Sequence, residues 1–278
     1  MAGALVWVAS YPRSGNTWLR IFLHNVLRLA RGESAADLDA LDQYSTWDIA
    51  DRWYTPLLNK PPNEATKEEV AAVRPIAQRS IADSVDGLIF VKTHAALVKD
   101  RGTPAIDISR TAGAVYVVRN PLDVAVSYAK HLDLSLEKAV EILNTPRYET
   151  ANGPHSVYEF YGSWSQHVLS WTRRPHRAIF VVRYEDMLAE PIHNFGRLVA
   201  HLNIPATMEQ VEEGAGLSSF ARLQDIERKQ GFRERPKQSA AFFRRGGAGN
   251  WRHELPKELA ARLTACHSEV MRAFGYNN

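Results

Sequence analysis

The chain has 278 residues, 45% of them hydrophobic and 23% charged, which is the composition of a globular protein. Its one cysteine, Cys266, excludes an intramolecular disulfide, so we expect a reducing, cytoplasmic setting. The net charge is a modest +3, no apolar run approaches the ~20 residues of a membrane span, and no signal-peptide pattern opens the chain. We expect a protein without an integral membrane segment, folded as a single domain over residues 1–278.

Predicted strands alternate with predicted helices along the chain. Short apolar runs rich in Val, Ile, Phe and Tyr, without polar alternation, predict strands buried on both faces at residues 5–9, 88–91, 114–118 and 178–182. Helical spacing is found at residues 16–31, 121–132, 156–173, 191–202 and 255–274, and the least regular stretches are 42–64, 144–155 and 228–250. The alternation predicts an α/β fold with a central parallel sheet flanked by helices.

Basic residues follow the predicted strands. Arg13 lies shortly after the first strand, Lys92 directly after the second, Arg119 directly after the third and Arg183 directly after the fourth. Ligands of open parallel sheets bind beyond the carboxyl ends of the strands. Several cations directed at one crevice therefore predict an anion-binding site.

The loop after the first strand has the features of a phosphate cradle. Arg13 supplies charge, Ser14 and Thr17 supply hydroxyl donors, and Gly15 allows close approach of the backbone to an anion. We expect Asn16 to cap the following helix. The loop lacks the G-x-x-x-x-G-K-[ST] pattern of a Walker loop, and an ordinary strand-to-helix turn is the alternative interpretation.

A second concentration of positive charge lies near the C-terminus. Between residues 219 and 253, nine Lys and Arg residues stand against three Asp and Glu residues, so this stretch carries +6 and the rest of the chain −3. The stretch indicates an anionic ligand rather than nucleic acid, because no RNA-binding motif and no clustered sheet aromatics accompany it. A solvated loop is the alternative interpretation.

Four stretches, taken in chain order, carry a family resemblance. They are residues 10–18 (SYPRSGNTW), 92–94 (KTH), 116–128 (YVVRNPLDVAVSY) and 243–251 (FRRGGAGNW). Together they resemble the soluble cytosolic sulfotransferases that use 3′-phosphoadenosine 5′-phosphosulfate (PAPS) and release adenosine 3′,5′-bisphosphate (PAP). The resemblance runs from residue 5 to about residue 252 and implies a P-loop-kinase-like fold with a phosphosulfate-binding loop after the first strand.

The resemblance assigns a set of residues to the PAPS co-substrate. The loop 13–18 would hold the 5′-phosphosulfate, with its last residue stacked on adenine, and the third strand end and the segment 244–246 would hold the 3′-phosphate. The assigned residues are Arg13, Ser14, Gly15, Asn16, Thr17, Trp18, Arg119, Ser127, Tyr184, Ser218, Phe220, Arg244, Arg245 and Gly246, with Tyr184, Ser218 and Phe220 as adenine contacts. Arg13 stands where the family usually has Lys, and an arginine acts by charge and hydrogen bonds because it stays protonated. Asn16 replaces a common Thr.

The resemblance assigns catalysis to His94, Lys92 and Arg13. Residues 92 and 94 point to the same side of an extended chain, so a cation and a base would face one crevice. Histidine has a suitable unperturbed pKa for accepting an alcohol proton near neutral pH. The implied mechanism is in-line sulfuryl transfer in which His94 is the general base and fixed cations stabilise the developing charge. Because those cations stand where a metal would be needed, we expect no metal.

The acceptor is left open by the sequence. Aromatic residues cluster in the irregular segments and near the basic stretch: Tyr44, Trp47, Trp53, Tyr54, Tyr148, Tyr158, Phe160, Tyr161, Phe232, Phe242 and Phe243. These aromatic residues suit an acceptor that offers a hydroxyl or an amine: a phenol, a lipid-like alcohol, a sugar or glycolipid, or a natural-product scaffold. The alternative interpretation is that they only pack the loops against the rest of the protein. The family's dimer motif is not visible after Asn250-Trp251, so the oligomeric state, monomer or homodimer, stays open.

Two other functions compete with the transferase. A P-loop-type kinase would need an acidic strand end for magnesium, and only Asp186 offers one. A non-catalytic nucleotide- or anion-binding protein is the second alternative, and the presence of both His94 and Lys92 favours an enzyme over it.

Overall fold

The computed structural model describes residues 3–34, 43–235, 241–244 and 246–276. Its strands in chain order are β1 (Ala4–Ser10), β2 (Ser45–Trp47), β3 (Leu88–Thr93), β4 (Lys99–Asp100), β5 (Thr103–Pro104), β6 (Thr111–Val118) and β7 (Ile179–Arg183). Five of them form one parallel sheet in the order β2-β3-β1-β6-β7, while β4 and β5 form a separate antiparallel pair. The predicted α/β fold with a central parallel sheet is confirmed.

Helices cover both faces of this sheet. In chain order the α-helices are α1 (Asn16–Ala30), α2 (Asp51–Leu58), α3 (Lys67–Asp83), α4 (Pro121–Leu132), α5 (Leu136–Asn144), α6 (Trp164–Thr172), α7 (Tyr184–Ala189), α8 (Pro191–His201), α9 (Met208–Leu217), α10 (Phe220–Gln230), α11 (Trp251–Glu254) and α12 (Lys257–Ala273). Short 3-10 turns lie at Pro62–Glu64 and Ile108–Arg110. Within the described part of the chain, no helix combines the length and the apolar character needed to cross a bilayer.

Strand β1 is buried on both faces, as its unbroken apolar run predicts. Val6 and Val8 pack into one core with residues of α1, α8 and α9. Leu5 and Trp7 point to the opposite face and pack with residues of α4, α6 and α12. Alternate side chains of a strand point to opposite faces, so a strand between two helical layers must be apolar at every position.

The position of β1 decides where a ligand can bind. The strand pairs with β3 on one edge and with β6 on the other, so that Val8 lies beside Lys92 and Ser10 beside Val117. The chain therefore leaves the carboxyl end of β1 between two strands that lie on opposite sides of it. This is a topological switch point, the place where open α/β sheets form their ligand crevice.

Part of the predicted helix at 156–173 is wrong. Only Trp164–Thr172 is helical, because Ser163 and Gln166 form a capping box that starts the helix there. The preceding residues are extended: the Val157 amide donates to the Ile49 carbonyl at 2.9 Å, and the Tyr161 amide donates to the Tyr148 carbonyl at 2.8 Å. These long-range backbone bonds outweigh the local helical spacing.

The stretch 42–64, expected to be irregular, contains β2 and α2. Strand β2 exists because it pairs with β3, so that Ser45 lies beside Phe90. Helices α3, α5, α9 and α10 were not predicted either. The start of α3 carries a readable signal, since Thr66 and Glu69 form a reciprocal capping box.

The prediction that Asn16 caps α1 is wrong. Gly15 occupies the N-cap position, with φ 104°, and no side chain caps the helix. The Asn16 side chain turns back to the sheet instead, where its amide donates to the Val8 carbonyl at 2.8 Å. Its carbonyl oxygen accepts a hydrogen bond from Arg20 Nε at 3.2 Å.

We predict that Gly15→Ala destabilises the fold more than Gly32→Ala does. Both glycines have positive φ, at 104° and 72°, so an alanine at either position costs roughly 1–2 kcal/mol in backbone strain. A Cβ on Gly15 would also lie 2.6 Å from the Tyr184 ring, whereas a Cβ on Gly32 would have none of the described residues within 4 Å. Overpacking of this kind typically costs about 1–3 kcal/mol more. Urea unfolding measures both free energies, and equal losses would contradict the close approach of Tyr184.

Candidate functional site

A cavity of about 880 Å³ opens beyond the carboxyl ends of β1, β3 and β6. All but three of the residues that the sequence assigned to a site line it: Arg13, Gly15, Asn16, Thr17, Trp18, Lys92, His94, Arg119, Ser127, Tyr184, Phe220, Arg244 and Gly246. Ser14 and Ser218 lie outside the lining, and Arg245 lies outside the described residues. Side chains far apart in the sequence are therefore brought to one surface.

The loop after β1 carries the first cation. Arg13 has positive φ, 66°, and its Nε donates to Ser127 Oγ at 3.2 Å. Its guanidinium lies 4.8 Å from the centre of the Phe242 ring. Burial and the charges of Arg119 and Arg244 lower the pKa of Arg13 to about 10. The group still keeps its positive charge at neutral pH.

The same loop holds an unpartnered donor. The Ser14 side chain is fully buried, and among the described residues its hydroxyl has no hydrogen-bond partner. A buried polar group without a partner is costly, so a bound anion at this loop would offset that cost. Gly15 brings the backbone close to the Tyr184 ring at this point, where a Cβ would not fit.

Lys92 and His94 both face the cavity, as their spacing in an extended strand predicted. The Lys92 Nζ lies 3.9 Å from the centre of the Trp47 ring, so an aromatic face supports this cation. Burial lowers the pKa of Lys92, and Arg20 acts in the same direction. The acids Glu234, Glu159 and Asp48 oppose that shift.

His94 is fixed by contacts from three directions. Its Nδ1 donates to the Ser10 carbonyl at 2.8 Å. Its backbone amide donates to Glu159 Oε1 at 2.7 Å, and its carbonyl accepts a hydrogen bond from His167 Nε2 at 2.9 Å. A carbonyl only accepts, so Nδ1 carries the proton of the neutral ring and Nε2 is the basic nitrogen.

The pKa of His94 is lowered well below its ordinary value. Burial is the main cause, and the charge of Lys92 adds to it. The imidazole is therefore neutral at physiological pH. A neutral imidazole can accept a proton, which is what a general base requires.

Arg119 links several parts of the site. Its Nη1 donates to the Arg13 carbonyl at 2.9 Å, and its Nη2 donates to the Gly247 carbonyl at 3.0 Å. Its guanidinium lies 4.3 Å from the centre of the Tyr184 ring. Arg119 Nε is buried and has no partner among the described residues, so it is a donor available to an anion.

The segment after residue 241 closes one side of the cavity. Gly246 has φ 53°, and a Cβ there would lie 2.1 Å from the Phe220 ring, so only glycine allows this approach. Asp123 of α4 anchors the segment by accepting hydrogen bonds from the amides of Gly249 at 2.7 Å and Trp251 at 3.1 Å. Sequence reasoning missed this role of Asp123.

Aromatic rings form another part of the wall. Trp18 packs edge-on against Tyr184 and Phe195, with centroid distances of 5.7 and 5.4 Å. The Trp18 indole donates to the Ser218 carbonyl at 2.8 Å. The Ser218 hydroxyl is fully buried, donates to the Gly214 carbonyl and accepts a hydrogen bond from the Asn25 amide, so it does not face the cavity. Ser218 therefore supports Trp18 through its backbone carbonyl.

The structure divides the aromatic residues of the irregular segments into two groups. Trp47, Tyr161, Phe242 and Phe243 line the cavity. The others pack elsewhere; Tyr54 and Tyr158, for example, are buried together in a separate small core. The packing interpretation is confirmed for the second group, while acceptor binding by the first group stays a prediction.

Acidic residues around the cavity were not predicted as part of the site. Glu234 accepts hydrogen bonds from Thr17 and from Arg20, and Glu159 holds the His94 amide. Arg20 follows Thr17 by three positions on α1, which places both residues on one helix face. This spacing is the signal in the sequence from which their proximity could have been predicted. Among the described residues, no group of three or more His, Cys, Asp or Glu side chains is arranged to hold a metal ion.

Known proteins are similar to this chain over nearly its whole length. The sequence model of the sulfotransferase domain matches residues 4–275. Cytosolic sulfotransferase 16 of Arabidopsis thaliana is 27% identical, over 96% of this chain and 76% of that protein. Flavonol 3-sulfotransferase of Flaveria bidentis is 22% identical, over 97% of this chain and 82% of that protein.

Solved structures share the fold. Retinol dehydratase in a complex with retinol and PAP superposes with a TM-score of 0.64 at 21% identity, over 98% of this chain and 82% of that one. Mouse sulfotransferase SULT7A1 complexed with PAP superposes with a TM-score of 0.62 at 19% identity, over 97% of this chain and 84% of that one. The resemblance inferred from the four motifs is confirmed, and the chain belongs to the sulfotransferase family.

Proposed function

We propose that this protein transfers the sulfuryl group of PAPS to a hydroxyl of a small molecule. One observation carries the proposal: the cations Arg13, Lys92, Arg119 and Arg244 surround the same cavity as the neutral base His94. Membership of the sulfotransferase family supports the type of reaction. Two of the structurally similar proteins hold PAP, which supports the donor.

The residues of the loop fit the 5′ end of this donor. Ser14 Oγ is a buried donor without a partner, and a phosphate or sulfuryl oxygen would accept from it. The positive end of α1 and the charge of Arg13 favour an anion at the same point. Arg13 acts by charge and hydrogen bonds, since its pKa of about 10 keeps it protonated.

A second group of residues fits the 3′-phosphate. Arg119 has an unpartnered Nε, Ser127 lies beside Arg13 on α4, and Arg244 lines the same cavity. We assign Arg245 to this phosphate on the family resemblance alone. Trp18, Tyr184 and Phe220 supply aromatic faces for adenine, with Ser218 holding the Trp18 indole in place.

His94 acts as the base in the transfer step. Its Nε2 accepts the proton of the acceptor hydroxyl while the acceptor oxygen forms a bond to sulfur. The bond between sulfur and the phosphate oxygen breaks, and PAP leaves with that electron pair. Lys92 and Arg13 stabilise the negative charge on the sulfuryl and phosphate oxygens. The Ser10 carbonyl holds the imidazole in the tautomer that this step requires.

The aromatic part of the lining, beside the cations, favours an aromatic acceptor. Trp47, Tyr161 and Phe242 present aromatic faces near His94 and Arg13, and Ile49 adds an apolar contact. A phenolic hydroxyl combines a flat apolar ring with an acidic proton, so it suits both this wall and a base of low pKa. Flavonol sulfotransferases are among the similar proteins, which supports the same class.

Two broader assignments accompany the proposal. We propose that the chain is one sulfotransferase domain, because the family model spans residues 4–275. We also propose a cytoplasmic location, because similar plant proteins are named cytosolic sulfotransferases and the single cysteine suits a reducing compartment.

We predict that PAP binds far more tightly than adenosine 5′-phosphate. Only PAP engages Arg119, Ser127 and Arg244, and each charge-assisted hydrogen bond contributes roughly 1.5–3 kcal/mol. Arg119→Ala should weaken PAP binding about tenfold or more, with a much smaller effect on adenosine 5′-phosphate. Isothermal calorimetry measures the affinities for both nucleotides, and Arg222→Ala, at an exposed arginine, is the matched control. Equal affinity of the wild type for both nucleotides would rule out PAPS as the donor.

We predict that His94→Ala reduces single-turnover transfer by about 10²–10⁴-fold, the usual contribution of a general base. PAP affinity should change little, because His94 acts on the acceptor proton. His155→Ala is the control, since the His155 side chain is exposed and does not line the cavity. A near-normal rate in His94→Ala would refute the assignment and direct attention to His131, which also lines the cavity.

The same variant gives a pH test. His94 must be neutral to accept a proton, and its pKa is lowered, so the wild-type rate should fall only at pH values well below 6.5. His94→Ala should lack this acid limb.

We predict that EDTA leaves the transfer rate unchanged. Arg13 and Lys92 provide the positive charge that magnesium provides in most phosphoryl transfers. Transfer measured with labelled PAPS and a phenol, with and without EDTA, checks this. Activity that disappears with EDTA and returns with magnesium would contradict it.

A further inference from the structure

One carboxylate lies among the cations of the site. Glu234 lines the cavity, and its side chain is only 9% exposed. Its Oε2 accepts a hydrogen bond from Thr17 Oγ1 at 3.1 Å, and its Oε1 accepts one from Arg20 Nη2. The hydroxyl of Thr17, one of the residues assigned to the donor's 5′ end, therefore already donates its hydrogen bond to an acidic side chain.

The other charges that face Glu234 are mostly positive. Arg13, Lys92 and His131 line the same cavity, and the charge of Glu234 raises the pKa of each of them. Burial by itself would raise the pKa of Glu234, but the charges of Arg20 and Lys92 outweigh burial and hold it below its ordinary value. The carboxylate is ionised at neutral pH, as a phosphate or sulfate ester would be.

The buried guanidinium of Arg20 needs an anionic partner. Its side chain has no exposed surface, its Nε is held by Asn16 Oδ1 at 3.2 Å, and Glu234 is its carboxylate partner. Its Nη1 is buried and has no partner among the described residues. A buried guanidinium without a counter-ion is strongly unfavourable, so Glu234 can leave Arg20 only if another anion replaces it.

Glu234 is carried by a segment outside the regular secondary structure. The segment 231–235 follows α10 and lies in no helix or strand. It is anchored through Phe232, whose ring packs 4.9 Å from Phe242 and 5.0 Å from Phe243. Rotation of the Glu234 side chain therefore requires no change in the sheet or in α1.

We propose that the Glu234 carboxylate competes with the donor's 5′ anion for Thr17 and Arg20. Arg20 does not line the cavity while Glu234 is paired with it, and it becomes a further cation of the donor site when Glu234 leaves. The inference rests on the PAPS-dependent function proposed above. Two anions cannot share Thr17 and Arg20 without strong repulsion, so the donor displaces Glu234 when it binds. Donor affinity is then reduced by the free energy needed to separate Glu234 from its partners.

Glu234→Gln tests the competition directly. The variant should bind PAP about tenfold more tightly than the wild type. Its affinity for adenosine 3′-phosphate should be unchanged, because that nucleotide has no 5′ anion to place at Thr17 and Arg20. Calorimetric titration of both nucleotides measures the difference. Asp225→Asn is the matched control, since it removes one negative charge from the same basic stretch at an exposed pair with Lys229.

A double variant separates competition from a structural role and covers the case in which Glu234→Gln folds poorly. Arg20→Gln combined with Glu234→Gln leaves no unpaired buried charge, so it should fold, and it should lose the tenfold gain in PAP affinity. Glu234→Gln should also have a lower melting temperature than the wild type without nucleotide and a larger rise on addition of PAP.

Three results would overturn the inference. They are unchanged or weaker PAP binding in folded Glu234→Gln, an equal gain for adenosine 3′-phosphate, and retention of the gain in the double variant. If Arg119→Ala still weakens PAP binding in these experiments, only the role of Glu234 fails. If the wild type binds PAP and adenosine 5′-phosphate equally, the proposed donor fails and this inference fails with it.

Discussion

The whole site depends on keeping several cations charged and close together inside a buried cavity. Burial and mutual repulsion oppose this, as the lowered pKa values of Arg13 and Lys92 show. Three of these cations lie against an aromatic face: Lys92 against Trp47, Arg13 against Phe242 and Arg119 against Tyr184. An aromatic ring attracts a cation without neutralising it. The positive charge therefore stays available to an anionic ligand.

The positive field of the site helps to keep the base neutral, and hydrogen bonds fix its geometry. His94 next to Lys92 cannot easily become protonated, so it stays neutral and keeps a lone pair on Nε2. The Ser10 carbonyl, at the end of β1, decides which ring nitrogen carries the proton. Glu159 and His167 hold the backbone of the same residue. The geometry of the base is thus set by the sheet, by Glu159 in the segment before α6 and by His167 of α6 itself.

The order of the strands explains why these groups meet. Strand β1 lies between β3 and β6, so the loop 11–15, the strand end at Lys92 and the helix start after Arg119 converge on one point. Asp123 then ties the late segment at Gly249 and Trp251 to α4, which brings Arg244 and Gly246 to the same cavity. A parallel sheet with one central switch point is sufficient to collect residues from most of the chain.

The sequence by itself determined the parts that depend on local pattern. Unbroken apolar runs located four of the five sheet strands, and the residues just after them identified Arg13, Lys92, His94 and Arg119, because strand ends of a parallel sheet always meet at one edge. Tertiary structure decided the rest. Strand β2 exists only through its pairing with β3, and Trp47 lines the cavity while Tyr54 packs in a core, although both lie in one aromatic stretch. Glu234 reaches Arg20 across 214 positions, and no local pattern encodes a contact whose free energy appears only when the two segments are brought together.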